Sequence, residues 1–171
     1  MYDLIVPAGY TTEFQYFYGY QIDQIRNLIA DWAKQYDYVF CIDSDISFKP
    51  NTLQLLLQDN KPIVSGVYIQ RKPDVKISEL YVDGSNMHID EVLSHTVPFE
   101  IDACGFGCVL IDCDVIRQMS YPHFVYQSAI DHKHTISEDI FFCNKAKQLG
   151  YTVWADPRIL CDHHGSVTYA P

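Results

Sequence analysis

The chain has 171 residues, of which 48% are hydrophobic and 20% are charged. This length and composition predict one globular domain over residues 1–171 and exclude a disordered chain. The formal net charge of −10 argues against a surface that follows nucleic-acid phosphates unaided, but it allows an anionic substrate that is held through a bound cation.

Hydropathy and cysteine spacing predict the cellular compartment of the protein. No apolar run approaches the length of a membrane span, and no basic stretch followed by an apolar one opens the chain, so we expect neither a membrane segment nor a signal peptide. The six cysteines match no metal-binding or redox spacing, and most of them lie inside apolar runs. We therefore expect reduced thiols and a cytoplasmic protein.

Helix and strand patterns alternate in the first part of the chain. Residues 22–35 carry an apolar stripe at the helical period, and Arg26 falls off that stripe. The members of the stripe are Ile22, Ile25, Leu28, Ile29, Trp32 and Ala33. Residues 38–42 predict a strand buried on both faces, and a second helix and then a strand over residues 63–68 follow. A helix between two strands is typical of a βαβ unit, so we expect an α/β fold with a Rossmann-like, mostly parallel sheet flanked by helices.

The middle of the chain departs from this alternation. Residues 75–82 are strand-like and a turn follows over residues 83–86, which predicts a small antiparallel β excursion. Residues 99–111 form a β-like run that Gly105 and Gly107 interrupt. Paired glycines inside a strand pattern indicate a bulge, or a place where a ligand comes close to the backbone.

The last part of the chain contains a short helix over residues 112–119 and a longer one that Ser137 caps. The longer helix is expected to end at Gly150. Residues 151–154 then predict a final strand, which the chain leaves at Ala155.

Two carboxylates, Asp43 and Asp45, directly follow the first predicted strand. In an open α/β sheet, ligands bind at the carboxyl ends of the strands. Two hard oxygen ligands at such a place suit Mg²⁺ or Mn²⁺, and these cations in turn suit a diphosphate. The tripeptide Asp43-Ser44-Asp45 by itself would be an ordinary polar turn, because Asp and Ser are common turn residues.

Two further groups of polar residues are candidates for chemistry. Glu138 and Asp139 begin the helix after Ser137, where acids most often serve only to compensate the free amides of the first turn. Near the C-terminus, His163 and His164 are adjacent, and their side chains are expected to point to opposite sides of an extended chain. At most one of them is therefore expected to bind a given metal, and an imidazole that completes a carboxylate site suits Mn²⁺.

The order of these features resembles that of the GT-A fold glycosyltransferases, in particular the family 2-like enzymes. The resemblance covers about residues 22–167. The motifs that carry it are Arg26-Asn27, Phe40-Cys-Ile-Asp-Ser-Asp-Ile46, Ile63-Val-Ser-Gly-Val-Tyr68, Gly105-Phe-Gly107, Ser137-Glu-Asp139, Gly150-Tyr-Thr-Val-Trp-Ala-Asp156 and Cys161-Asp-His163. It implies a GT-A type sheet and a transferase that uses a nucleotide-diphosphate sugar, such as a UDP- or GDP-sugar. The acceptor stays open.

The resemblance also implies a metal site. Asp45 would bind Mn²⁺ (or Mg²⁺) directly, and Asp43 would approach the ribose of the donor or the water shell of the metal. His163 would be the third protein ligand, with His164 as the alternative.

The same resemblance implies roles in donor binding and in catalysis. Arg26 would belong to the donor site, and Gly105 and Gly107 would let the backbone approach the donor sugar. Asp139 would be the general base that takes the proton of the acceptor hydroxyl, with Glu138 orienting the acceptor or its loop. This assignment implies inversion at the anomeric carbon in a single in-line displacement.

The chain differs from the family pattern at its start. Family members usually carry another strand-helix-strand region before the Arg-Asn helix, and that region holds the nucleobase. We therefore expect either that residues 2–20 do this work or that a homo-oligomer or partner subunit completes the pocket.

Two other functions compete with the transferase. The first is a catalytically silent GT-A-like subunit that binds a nucleotide or sugar. The second is a glycosidase with Asp45 and Asp139 as its acid pair, which the closely spaced Asp43 and Asp45 disfavour because they fit a cation better.

Overall fold

A computed structural model describes residues 4–72, 76–128, 135–165 and 170. The helices in these ranges are α1 (Ile22–Ala33), α2 (Thr52–Asp59), α3 (Ile89–Ser94), α4 (Cys113–Gln118) and α5 (Glu138–Gln148). The strands are β1 (Tyr38–Ile42), β2 (Ile46–Ser47), β3 (Ile63–Val67), β4 (Ile77–Val82), β5 (Ser85–His88), β6 (Phe99–Ile101), β7 (Ala103–Cys104), β8 (Cys108–Asp112), β9 (Gln127–Ser128), β10 (Thr135–Ile136), β11 (Val153–Leu160) and β12 (Asp162–His163). Among the described helices, none has the length and apolar character that crossing a membrane requires.

A mixed sheet of five strands forms the centre of the fold, in the order β1-β8-β3-β11-β6. Only β3 and β11 pair in parallel, while β8 is antiparallel to both β1 and β3, and β6 is antiparallel to β11. The mixed α/β class is confirmed, whereas the mostly parallel sheet is not. The reason is that β8 is inserted between the two strands of the β1-α2-β3 unit, so these strands keep a common direction without pairing.

Strands β1, β3 and β11 nevertheless run in one direction, because β8 is antiparallel to the first two and β11 is parallel to β3. Their carboxyl ends therefore meet at one edge of the sheet. β3 is buried along its whole length, but β1 lies at an edge, where Val39 and Cys41 are buried and the alternate residues are half-buried. The prediction that β1 is buried on both faces holds for the face of Val39 and Cys41 only. Tyr38 and Phe40, on the other face, pack against the cluster of α2 but stay half-buried.

The core lies on both faces of the sheet, and successive residues of a strand face opposite sides. Ile63 packs in the cluster on the face of α1, α4 and α5, while Val64 packs in the cluster on the face of α2. All six cysteines are free and buried, as the apolar runs around them predict.

Helix α1 forms where its period predicts, but its inner face differs from the apolar stripe. Ile22 and Leu28 are exposed, whereas Arg26, Asn27 and Ala30 are buried. Asn27 explains part of this orientation: its Oδ1 accepts hydrogen bonds from the backbone N–H groups of residues 123 and 124, and its Nδ2 donates to the carbonyl of residue 124. Polar contacts with a distant loop therefore contribute to the choice of the face of α1 that turns inward.

The β excursion is confirmed as a three-stranded antiparallel sheet in the order β5-β4-β7. The final strand is longer than its sequence pattern predicts. β11 continues past Ala155 through an irregularity in its pairing with β3 and ends at Leu160. The next residue, Cys161, donates its backbone N–H to the carbonyl of Val67 (2.8 Å), which carries the chain toward the carboxyl end of β3.

Candidate active site

A cleft of about 320 Å³ opens beyond the carboxyl ends of β1 and β3. Its walls come from the turn after β1, the segment after β3, the excursion sheet, the first turn of α5 and β12. The residues that line it are Asp43, Asp45, Tyr68, Arg71, Glu79, Tyr81, Cys104, Gly105, Ser137, Glu138, Asp139, Ile140 and His163. Most of the residues that the sequence proposes for chemistry therefore meet in one place.

Backbone pairing brings the C-terminal segment to the two aspartates. β12 pairs with β2 in antiparallel fashion, with His163 opposite Ile46. The backbone N–H of His164 donates to the carbonyl of Asp45 at 2.7 Å. The two-residue strand β2 follows the Asp-Ser-Asp turn at once, so this pairing fixes the imidazole next to the carboxylates.

Asp45 and His163 face each other across the cleft. His163 Nε2 lies 3.5 Å from Asp45 Oδ2, and His163 Nδ1 lies 2.9 Å from the carbonyl oxygen of Ile69. A carbonyl only accepts hydrogen bonds, so Nδ1 carries the proton of that contact, and Nε2 is the ring nitrogen that faces the carboxylate. The ring of His164 lies elsewhere, with Nε2 at 2.8 Å from Ser47 Oγ.

Arg71 is a cleft residue that sequence reasoning missed. Its Nη1 lies 2.9 Å from Asp45 Oδ2, and the guanidinium is about half exposed. The sequence places Arg71 shortly after the buried strand β3, where a basic residue is usual at a surface turn. No local signal distinguishes it from an ordinary solvated arginine.

Arg26 lies behind the cleft and joins two of its acids. Its Nη2 donates to Asp43 Oδ1 at 2.9 Å, and its Nε lies 3.6 Å from Asp139 Oδ1. The guanidinium is only 4% exposed and sits 5.7 Å from the centre of the Phe106 ring. Burial lowers the pKa of Arg26, but attraction by the two carboxylates outweighs this effect and leaves the pKa above its ordinary value.

Asp139 is the most perturbed acid of the cleft. It stands in the first turn of α5, where Ser137 caps the helix through Ile140, and its Oδ2 accepts the backbone N–H of Phe106 at 3.1 Å. Burial raises the pKa of Asp139 to about 8, although the neighbouring guanidinium acts in the opposite direction. Glu138, next to it, is buried and lines the same wall.

The two glycines of the β-like run make room for an aromatic ring. A Cβ at Gly105 would overlap the Tyr68 hydroxyl, and one at Gly107 would come within 2.9 Å of the same ring. The Tyr68 hydroxyl accepts the backbone N–H of Gly107 at 3.0 Å. The close approach that the glycines predict is thus to Tyr68, and Gly105 also lines the cleft.

Glu79 and Tyr81 form the wall on the excursion sheet and were also missed. The Tyr81 hydroxyl donates to Glu79 Oε2 at 3.3 Å, and burial raises the pKa of Glu79. Both residues lie in β4, whose alternating pattern is typical of a strand with one solvated face. Only the folding of β4 over the cleft turns that face into a wall.

The arrangement offers two side chains for a divalent cation. Within the described ranges, no group of three or more His, Cys, Asp or Glu side chains is arranged to hold a metal ion. Asp45 and His163 converge, whereas Asp43 is engaged by Arg26. A cation here would take its other ligands from water and from a bound anion.

No family model and no curated protein matches the chain. Among solved structures, the chain is similar to the crystal structure of A197 from STIV, with a TM-score of 0.61 and 16% sequence identity. The likeness covers 85% of this chain and 68% of that one. At this level of identity the similarity shows a shared fold and nothing about activity.

Proposed function

We propose that this chain is a metal-dependent glycosyltransferase that moves a sugar from a nucleotide-diphosphate sugar, such as a UDP- or GDP-sugar, to an acceptor hydroxyl. The observation that carries the proposal is the meeting of Asp45, His163 and Asp139 in one cleft. We extend the proposal to the fold family: the common direction of β1, β3 and β11, with their carboxyl ends at the cleft, supports a GT-A type sheet.

Asp45 and His163 would hold the Mn²⁺ (or Mg²⁺) that the proposal requires. Two protein ligands suffice, because such cations are commonly bound by one or two side chains together with substrate phosphates and water. The hydrogen bond from His163 Nδ1 to the Ile69 carbonyl is the outer contact that a metal-binding imidazole usually makes. When bound, the cation supplies neutralisation of the charge that develops on the leaving diphosphate.

Asp43 would have a separate task at the same edge. Its Oδ1 is held by Arg26, while its side chain is still 39% exposed toward the cleft. A carboxylate that is fixed on one side and accessible on the other suits a hydrogen bond from a ribose hydroxyl or from a metal-bound water.

Asp139 would act as the general base. The acceptor oxygen forms its bond to the anomeric carbon while its proton passes to the Asp139 carboxylate. The bond between the anomeric carbon and the diphosphate oxygen breaks, and its electron pair stays with the diphosphate. A pKa of about 8 makes the ionised carboxylate a stronger proton acceptor than an ordinary Asp, and the fraction in that form grows as the pH approaches 8.

Arg26 would be a positioning residue that keeps Asp43 and Asp139 at a fixed separation. It contacts the acid of the donor side and the acid of the acceptor side from behind, and its burial leaves it little freedom. A fixed separation between donor and base is what in-line displacement requires.

The test is a screen of nucleotide sugars for hydrolysis or transfer, with and without Mn²⁺, in the wild type and two variants. We expect turnover of at least one donor only with Mn²⁺ or Mg²⁺, and loss of nucleotide binding in Asp45→Ala. Asp139→Asn should lose turnover and keep its affinity for UDP or GDP. If both properties fall together in Asp139→Asn, the base assignment is wrong.

The competing functions give different results in the same screen. A silent binding subunit would be stabilised by UDP or GDP with Mn²⁺ but would turn over no donor. A glycosidase would respond to neither the metal nor the nucleotide. Either result contradicts the transferase.

A further inference from the structure

We propose that Arg71 is a tethered counter-ion of the metal site, which neutralises Asp45 while no cation is bound and moves to the donor diphosphate once the cation arrives. The inference rests on the proposed function, because it presupposes a divalent cation on Asp45. It assigns Arg71 two partners at two stages of the cycle.

The first stage is visible in the contacts of Asp45. Arg71 Nη1 lies 2.9 Å from Asp45 Oδ2, and this is the same oxygen that lies 3.5 Å from His163 Nε2. A cation that binds this oxygen and the imidazole would stand within a few ångströms of the guanidinium. Like charges at that distance repel, so Arg71 and the cation compete for one carboxylate oxygen.

Arg71 is able to leave, unlike the other arginine of the site. Its side chain is 49% exposed, whereas that of Arg26 is 4% exposed. Its other hydrogen bond, to the carbonyl of His164, is long at 3.4 Å. Half-exposed ion pairs of this kind contribute little free energy, so a divalent cation displaces the guanidinium at small cost.

The charges of the cleft residues favour a phosphate as the second partner of the Arg71 guanidinium. Within the part of the chain that the structure describes, five carboxyl groups line the cleft, namely Asp43, Asp45, Glu79, Glu138 and Asp139. Arg71 is the one lysine or arginine among the described residues that line it. A diphosphate bound to the cation on Asp45 would lie beside Arg71, and the planar fork of a guanidinium matches phosphate oxygens in two parallel hydrogen bonds.

The experiment measures two affinities in Arg71→Ala. Mn²⁺ binding without nucleotide is followed by the electron paramagnetic resonance signal of free Mn²⁺, and inorganic pyrophosphate binding is followed by calorimetry at saturating Mg²⁺. We expect Arg71→Ala to bind Mn²⁺ roughly 1.5- to 5-fold more tightly, because the competing ion pair is gone. We expect it to bind pyrophosphate about tenfold or more weakly, because a charge-assisted contact is lost.

Two control variants test whether the result is specific to the Arg71 guanidinium. Lys34→Ala removes one positive charge from an exposed position directly after α1, where Lys34 pairs with Asp31, and should change neither affinity. Arg71→Lys keeps the charge without the fork, so it should bind Mn²⁺ as the wild type does and pyrophosphate with intermediate affinity.

The outcomes distinguish a failure of the role of Arg71 from a failure of the proposed function. Unchanged or weaker Mn²⁺ binding in Arg71→Ala, or unchanged pyrophosphate binding, overturns the role of Arg71 while leaving the transferase in place. Failure of both the wild type and Arg71→Ala to bind Mn²⁺ overturns the metal site, and the proposed function falls with it.

Discussion

Replacing Asp139 by Asn should make the protein inactive and, at alkaline pH, more stable. The Asp139 carboxyl is 16% exposed, accepts one backbone hydrogen bond and lies 3.6 Å from its nearest cation. Burial raises its pKa from 3.8 to about 8, so the folded state holds a proton on this group that the unfolded state releases. Stability is therefore lost as the pH rises from about 4 to about 8.

The size of the effect follows from the shift. One pKa unit corresponds to about 1.4 kcal/mol, so ionising the buried carboxyl costs at most about 6 kcal/mol above pH 8. Asn removes this charge but leaves an amide group beside Arg26 without an acceptor, which costs about 1–3 kcal/mol. At pH 5 the unfolded carboxyl is already ionised, so the wild type has lost about 2 kcal/mol there, which offsets most of the cost of the Asn amide. We expect Asp139→Asn to be about 3 kcal/mol more stable than the wild type at pH 9, and within about 1 kcal/mol of it at pH 5.

Urea unfolding at pH 5, 7 and 9, followed by tryptophan fluorescence, measures this difference. Comparing the two proteins at each pH cancels the titration of the groups that do not interact with Asp139. Asp31→Asn is the matched control, because Asp31 is an exposed carboxylate on α1, and it should follow the wild type at each pH. Parallel stability curves for Asp139→Asn and the wild type would refute the burial of this charge. Loss of the base should also lower turnover about 10²- to 10⁴-fold.

Three further predictions concern residues around the cleft and beneath it. Arg26→Leu leaves two carboxylates without their buried partner and should cost about 3 kcal/mol in urea unfolding; a loss below about 1 kcal/mol would contradict the bridging role. Gly105→Ala should cost about 1–3 kcal/mol because the new methyl group overlaps the Tyr68 hydroxyl, and Tyr68→Phe in the same chain should restore part of that loss; purely additive costs would speak against the overlap. Burial lowers the pKa of His123, so the free energy of unfolding should fall as the pH drops below about 6.5 and the unfolded histidine gains a proton. His123→Leu should reduce this fall in urea unfolding. An unchanged fall in the variant would mean that another group causes it.

Local signals in the sequence were sufficient for most elements. Helix α5 begins at its capping serine and ends near Gly150, and β3 occupies the apolar run between two breaks. Asp43 and Asp45 leave a rigid strand at the edge where ligands were expected. These features depend on residues that are close in the chain, so periodicity and caps are enough to predict them.

The features that were missed depend on contacts between distant segments. The insertion of β8 between β1 and β3 is a choice of strand partner, and no local pattern encodes it. The inward turn of α1 follows from the partners that Arg26 and Asn27 find elsewhere in the chain. Arg71 and Glu79 become cleft residues only because the segments that carry them fold over the ends of the strands.

The joint binding of one divalent ion by Asp45 and His163 is tested most directly by Mn²⁺ titration of a matched pair of histidine variants. His163 Nε2 faces Asp45, whereas the neighbouring imidazole of His164 contacts Ser47, so only the first variant removes the imidazole that faces Asp45. We expect His163→Ala to lose Mn²⁺ binding in the presence of UDP or GDP, and His164→Ala to keep it. Equal Mn²⁺ affinity in His163→Ala and the wild type would contradict the metal site.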